Sequence, residues 1–163
     1  MIKREATLLI NQLAEQFPAV LILGPRQCGK TTLAKHFLTG TYFDLGKPSD
    51  LQIFMGDIEL SLQRVNGPMI IDEAQTLPEL FPILRAKIDE NRGQPGRYFL
   101  LGSVNPLLIK GISESLAGRV GIVELTPFLY PEAAHLGVEM MTHSLGEGRV
   151  PGCLRRKEWH AAA

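Results

Sequence analysis

The sequence predicts an α/β fold in three layers, with helices on both faces of a mostly parallel five-stranded sheet. Strand-like apolar runs alternate with helical segments along the chain, and this alternation requires crossover connections between parallel strands. The run AVLILG (19–24) carries no polar side chain, which is typical of a strand buried on both faces. The 163 residues, 45% of them hydrophobic, suit one globular domain.

Five short runs are predicted to be strands, because each is rich in aliphatic or aromatic residues. In chain order they are 19–24, 41–45, 69–71, 97–102 and 120–125. Apolar residues at helical spacing predict helices over 2–17, 31–38, 58–65 and 77–88. Pro18 ends the first of these helices, and Pro78 lies in the first turn of the last.

The domain is predicted to extend over 1–145, with a leading helix within 1–17. The segment 146–163 has no apolar periodicity and contains several glycines and prolines, so we expect an irregular tail there.

Charge balance and cysteine content exclude several classes of protein. Seventeen basic and seventeen acidic residues give a net charge of zero, so no overall positive field indicates nucleic acid. Cys28 and Cys153 form neither a disulfide scaffold nor a C-x-x-C zinc motif. The sequence carries no signal peptide and no apolar run of ~18 residues, so we expect a cytoplasmic protein without a membrane span.

The strongest motif is GPRQCGKT (24–31), which fits G-x-x-x-x-G-K-[ST] and lies between a predicted strand and a predicted helix. Glycines let the backbone turn its N–H groups inward, and the helix N-terminus adds a positive field, so this loop is suited to a polyphosphate. Lys30 would neutralise the β and γ oxygens, and Thr31 would ligate Mg²⁺. The residues predicted to contact the nucleotide are Gly24, Pro25, Arg26, Gln27, Cys28, Gly29, Lys30, Thr31 and Thr32.

Two adjacent acids, Asp72 and Glu73, follow the strand MII (69–71). Parallel strands bring their carboxyl ends to one edge of the sheet, so these acids are expected beside the loop. Asp72 would join the Mg²⁺ shell, and Glu73 would polarise the water that attacks the γ-phosphate. The alternative is a solvated acidic cap on the helix that contains Pro78.

Three further polar residues each have two interpretations, one functional and one structural. Ser103 and Asn105 follow the fourth strand and are placed to touch the γ-phosphate or the attacking water, although Asn105 followed by proline also makes an ordinary turn. Arg119, just before the fifth strand, is either an arginine finger on the nucleotide of a neighbouring subunit or a surface arginine.

Together, GPRQCGKTTLA, DEAQ, LLGS and SESLAGR make the chain resemble a prokaryotic branch of the AAA+ ATPases, the AAA_14 type, usually fused to a C-terminal DUF4143 domain. The resemblance covers Ile2 through His135. It implies a P-loop NTPase fold of AAA+ type that binds ATP through residues 24–31, with Asp72 and Glu73 serving Mg²⁺ and hydrolysis. It also implies sensor 1 at Ser103 and an arginine finger near Arg119.

The ending GRVPGCLRRKEWHAAA departs from that family pattern, so we expect a truncated or frame-shifted end that lacks the C-terminal domain. The resulting hypothesis is an ATP-binding AAA+ type domain with Mg²⁺-dependent ATP hydrolysis, weak in this chain. The alternative is a nucleotide-gated regulatory module that holds ATP without turnover. The expected partners are a second copy, engaged through Arg119, and an unidentified protein or DNA.

Overall fold

The computed structural model describes residues 6–125, apart from residues 92 and 105. Five strands form one sheet: β1 (Ala19–Gly24), β2 (Thr41–Asp44), β3 (Met69–Asp72), β4 (Tyr98–Ser103) and β5 (Val120–Glu124). Their order across the sheet is β2-β3-β4-β1-β5, and every neighbouring pair is parallel. The predicted α/β class and five-stranded parallel sheet are confirmed.

Six helices flank the described sheet, and a short 3₁₀ turn lies at Ala74–Thr76. The helices are α1 (Ala6–Gln16), α2 (Lys30–Phe37), α3 (Pro48–Gly56), α4 (Ile58–Gln63), α5 (Leu80–Glu90) and α6 (Pro106–Ser115). No helix in the described part of the chain is long and apolar enough to cross a membrane.

The two core layers show why β1 is apolar along its length. Val20 and Ile22 pack with α1 and α2 on one face of the sheet, whereas Leu21 and Leu23 pack with the helices of the other face. Successive side chains of a strand point to opposite faces. Because both faces are covered by helices, both sets are buried.

The predicted helix over 58–65 is confirmed as α4, which begins at Ile58 and ends at Gln63. Helix α3, which precedes it, was not predicted from the sequence. Only Phe54 of α3 is buried, so this helix carries little of the apolar periodicity by which helices are recognised. The side chain of Asp57 begins α4 by accepting a hydrogen bond from the N–H of Leu60 at 2.8 Å.

The predictions at three further places need qualification. Pro78 lies before α5 and not within it, since the 3₁₀ turn separates β3 from that helix. Residues 2–5 of the predicted first helix lie outside the described residues. The predicted domain end at residue 145 and the tail 146–163 also lie outside them.

The topology places a cleft between β1 and β4. The chain leaves β1 towards β2 on one side and leaves β4 towards β5 on the other, so the direction of connection reverses between these adjacent strands. Ligands of open α/β sheets bind outside the carboxyl ends of the strands at such a point. Gly24 and Ser103, the last residues of β1 and β4, lie side by side there.

Candidate nucleotide-binding site

The loop between β1 and α2 has the backbone of an anion cradle. Gln27 and Gly29 have φ angles of 64° and 91°, in the left-handed region that turns N–H groups towards a common centre. At Gly24, a Cβ atom would lie 2.5 Å from the carbonyl oxygen of Leu125 and 2.7 Å from Cys28 Sγ. Glycine is therefore required at Gly24 for packing, and the loop conformation depends on it.

A pocket of about 340 Å³ opens above this loop. Its lining comes from the loop, the first turn of α2 and the residue after β3: Arg26, Gln27, Gly29, Lys30, Thr31, Thr32 and Glu73. The structure thus brings most of the predicted phosphate-contacting residues and one predicted catalytic acid to one surface. Their roles stay predictions.

Lys30 is buried, and its ammonium group is held by the loop itself. Nζ donates to the carbonyl oxygens of Gly24 at 2.9 Å and Pro25 at 2.8 Å, and lies 4.0 Å from Cys28 Sγ. A buried ammonium group needs such acceptors, since desolvation is costly for an unpaired charge. The side chain is therefore anchored within the cradle, in reach of any anion that enters it.

Asp72 ends β3 and is only 2% exposed. Its Oδ2 atom accepts hydrogen bonds from Thr31 Oγ1 and the hydroxyl of Tyr42, both at 2.7 Å, and its Oδ1 atom accepts from the N–H of Glu73 at 2.9 Å. The expected meeting of Asp72 with Thr31 is thus present in the structure. A carboxylate and a hydroxyl in contact at the mouth of a phosphate cradle fit Mg²⁺, which takes few protein oxygens and completes its shell with phosphate and water.

Glu73 lies at the pocket in a strained conformation. Its φ of 53° is left-handed, which is uncommon for a residue with a side chain and is concentrated at functional sites. Its carboxylate accepts a hydrogen bond from Gln75 Nε2, while Gln75 Oε1 is buried without a partner. The hydrogen bond from Gln75 thus holds the Glu73 carboxylate beside the phosphate loop.

Ser103 contributes an unpaired polar atom at the same edge. Its Oγ atom is buried without a hydrogen-bond partner, and its backbone lies opposite Gly24. A buried hydroxyl without a partner costs free energy, so such atoms call for a ligand or an ordered water. Asn105, the other polar residue predicted near this strand end, lies outside the described residues.

The structure does not bring Arg119 together with the other predicted site residues of its own chain. Arg119 precedes β5, at the amino edge of the sheet, and its Nε and Nη2 atoms both bond to the carboxylate of Asp89 at 2.9 Å. The hydrogen bonds with Asp89 raise the pKa of Arg119. Five residues of strand, about 17 Å, separate this edge from the loop.

Tyr42 is the site residue that the sequence analysis missed. It lies in β2, and burial together with the hydrogen bond to Asp72 raises its pKa, so the hydroxyl stays a donor. The sequence did offer one indication of Tyr42: the predicted strand TYFD contains a tyrosine hydroxyl. Since β2 and β3 run side by side and end together at Asp44 and Asp72, a hydroxyl in β2 can lie near Asp72.

Comparisons with known proteins agree with this geometry. A family model described as an AAA domain, AAA_14, matches residues 16–134. The chain belongs to this AAA domain family. The usual fusion of this family to a DUF4143 domain, and the absence of that domain from this chain, stay predictions.

The similar proteins are longer than the region that matches this chain. The uncharacterized proteins Mb2031c of Mycobacterium bovis and Rv2008c of Mycobacterium tuberculosis are each 42% identical over 129 residues, which cover 76% of this chain and 28% of theirs. The Walker-type ATPase PABY2304 of Pyrococcus abyssi has a similar fold, with a TM-score of 0.57 and 21% identity over 86% of this chain and 60% of its own. The chain thus spans less than a third of the length of these curated relatives. By its family and its fold, it is a nucleotide-binding AAA+ module.

Proposed function

We propose that this AAA domain binds ATP with Mg²⁺ and hydrolyses its γ-phosphate. The observation that carries the proposal is the contact between Thr31 Oγ1 and the buried Asp72 carboxylate at the mouth of the loop. These residues are 41 positions apart in sequence, and the contact joins the phosphate loop to the end of β3. The contact supports a metal-assisted phosphate site.

Binding would use groups that the loop already presents. Lys30 would exchange its bonds to the carbonyl oxygens of Gly24 and Pro25 for phosphate oxygens. Thr31 and Asp72 would hold Mg²⁺, which would neutralise negative charge on the phosphates. The unpaired Oγ atom of Ser103 would donate to the γ-phosphate, which removes the cost of leaving it buried alone.

Glu73 would carry the chemical step as general base. Its carboxylate would take a proton from water as the water oxygen forms a bond to the γ-phosphorus, and the bond from that phosphorus to the bridging oxygen breaks. The bridging oxygen leaves with the electron pair on ADP, and inorganic phosphate is released. Gln75 holds Glu73 ready for this role through the bond to its carboxylate.

Arg119 would act on the nucleotide of a neighbouring copy. Its position at the amino edge keeps it away from the loop of its own chain, and its guanidinium is fixed by Asp89. An arginine supplied from a second subunit stabilises the charge that develops in phosphoryl transfer. The proposal therefore includes an oligomer whose active site is completed between copies.

The test is phosphate release from Mg·ATP, measured across a range of protein concentrations. Glu73→Gln is expected to keep ATP binding and lose turnover by about 100-fold or more, because general-base catalysis contributes about that factor. Glu79→Gln makes the same change at an exposed position and serves as the matched control. Turnover in the wild type equal to that of Glu73→Gln, with ATP still bound, would favour the nucleotide-gated module over the ATPase.

The same assay tests Arg119. Turnover per molecule is expected to rise with protein concentration in the wild type and to stay low in Arg119→Ala at every concentration. Arg64→Ala, which removes an exposed arginine at the end of α4, is the control. Turnover independent of concentration and unaffected by Arg119→Ala would exclude the role of Arg119 between subunits.

A further inference from the structure

The hydroxyl of Tyr42 bonds to the one carboxylate oxygen that also contacts Thr31. Tyr42 donates to Asp72 Oδ2 at 2.7 Å, and Thr31 Oγ1 lies at the same distance from the same atom. The β2–β3 register makes this contact possible, because Tyr42 pairs with Ile70 and its side chain can reach forward to Asp72 on the same face.

Within the described part of the chain, the Asp72 carboxylate has three hydrogen-bond donors around it, and one of them, Thr31, is a residue of the phosphate loop. The N–H of Glu73 fixes Oδ1 at 2.9 Å, and Thr31 and Tyr42 fix Oδ2. Thr31 is itself a proposed metal ligand. When Mg²⁺ is bound, its hydroxyl would both ligate the metal and donate to Asp72. Tyr42 is then the side-chain donor to Oδ2 that is free of any ligand role.

Tyr42 is held in turn by the helix that begins in the loop. The ammonium group of Lys35, one turn into α2, lies 4.7 Å from the centre of the tyrosine ring. The ring is half-buried and packs against the core layer beneath α2. The hydroxyl therefore occupies a fixed position with respect to both β3 and α2.

We propose that Tyr42 is a positioning residue that orients the Asp72 carboxylate for Mg²⁺ and so sets the affinity of the site for the metal. This inference rests on the proposed function, since it concerns the metal of that same site. Hydrogen-bond partners that orient a metal ligand usually account for about 10–100-fold in metal affinity. Tyr42 belongs to this class of residue, because it contacts the ligand and not the metal.

The experiment measures binding of a fluorescent, non-hydrolysable ATP analogue to the full chain at increasing free Mg²⁺, and again in excess EDTA. Tyr42→Phe removes only the hydroxyl and keeps the ring over which Lys35 lies. It is expected to raise the Mg²⁺ concentration for half-maximal binding by about tenfold or more, with analogue affinity in EDTA unchanged. Tyr98→Phe, the same change at the amino end of β4, is the matched control and is expected to behave as wild type.

A second readout detects the metal directly. Electron paramagnetic resonance of Mn²⁺, used in place of Mg²⁺, reports the free ion in the presence of the analogue, and Tyr42→Phe is expected to leave more of it free. Asp72→Asn is expected to abolish the metal-dependent gain in both assays. The Asp72→Asn variant therefore gives the reference value for complete loss of metal binding.

The outcomes separate this inference from the proposed function. Wild type without analogue binding under any condition would overturn both. Metal-dependent binding in wild type with an identical Mg²⁺ dependence in Tyr42→Phe would overturn the role of Tyr42 alone. A loss of analogue affinity in EDTA equal to the loss in Mg²⁺ would also overturn it, because the hydroxyl would then support the fold of the loop and not the metal.

Discussion

The two edges of the sheet differ in whether their polar groups have hydrogen-bond partners. At the carboxyl edge, Gln27 and Glu73 have left-handed backbones, and the buried Ser103 Oγ and Gln75 Oε1 have no partner. At the amino edge, the guanidinium of Arg119 bonds to both oxygens of one carboxylate. One edge holds strain and unused hydrogen-bonding capacity, whereas the other has its charges paired.

Lys87 follows the pattern of the amino edge. Its ammonium group is 2.7 Å from Glu59 and 2.9 Å from Glu90. A cavity of about 210 Å³ lies beside it, but the other cation that lines the cavity, Arg97, already donates to the carbonyl oxygen of Val65. The cations around this cavity are therefore paired within the protein, although the opening is comparable to that above the phosphate loop.

This difference teaches how to distinguish a binding site from a gap in the packing. Strained residues and unpaired buried atoms cost free energy in the resting protein, so they persist where a ligand uses them. Volume alone does not separate the two openings. The unpaired buried atoms and the left-handed residues other than glycine do separate them.

The largest expected effect on ATP affinity is that of Lys30→Ala. Loss of a hydrogen bond to a charged group costs about 1.5–3 kcal/mol, so the dissociation constant for ATP is expected to rise about 10–100-fold. Isothermal calorimetry measures this directly. Lys110→Ala, whose side chain is 72% exposed, is the control. Equal affinity in the two variants would refute the assignment of the carboxyl edge as the nucleotide site.

Gly24→Ala is expected to be next in size, because the new methyl group would meet a backbone carbonyl that cannot move aside. Forcing a side chain into a filled space costs about 1–3 kcal/mol in the free energy of unfolding, measurable by urea denaturation. At Gly56 no atom lies within 4 Å of the added Cβ. Gly56→Ala is thus expected to be neutral or stabilising by up to about 1 kcal/mol, and a Gly24→Ala chain as stable as this control would contradict the steric account.

The smallest expected effect is at Lys87 and depends on pH. Hydrogen bonds with Glu59, then Glu90, raise the pKa of Lys87 above its ordinary value of 10.5. A raised pKa in the folded state means that the ion pairs stabilise the fold fully below that ordinary value and cease to do so as pH rises through the raised one.

Lys87→Met is therefore expected to lower stability modestly at neutral pH and to approach the wild type at alkaline pH. Chemical denaturation at a series of pH values checks this, with Lys110→Met as the exposed control. A stability difference that stays constant into the alkaline range would show that Lys87 contributes through packing alone.

The sequence was sufficient for the parts of the fold that depend on local pattern. The apolar run at 19–24 and the loop motif after it predicted β1, the turn and α2, because buried parallel strands and glycine-rich turns have distinctive residues. Asp72 could be placed beside Thr31 because parallel strands end at a common edge. Those two predictions needed no knowledge of side-chain packing.

Features that depend on tertiary contacts could not be read from the sequence. Helix α3 buries only Phe54 and leaves Ile53 and Met55 exposed, so its apolar residues do not mark one helical face. The pairing of Arg119 with Asp89 joins residues from different elements, and no spacing along the chain indicates it. Tyr42 was overlooked because a tyrosine in a strand is most simply a packing residue, and only its contact with Asp72 reveals a second use.

The close approach of Leu125 to Gly24 also joins the end of the edge strand β5 to the start of the phosphate loop. The N–H of Leu125 donates to the carbonyl oxygen of Leu23 at 2.6 Å, and its own carbonyl lies against the start of the loop. Leu125, directly after β5, thus packs against the base of the phosphate loop. Any displacement of the loop backbone at Gly24 towards β5 would meet the carbonyl of Leu125, so the edge strand limits the positions that the start of the loop can take.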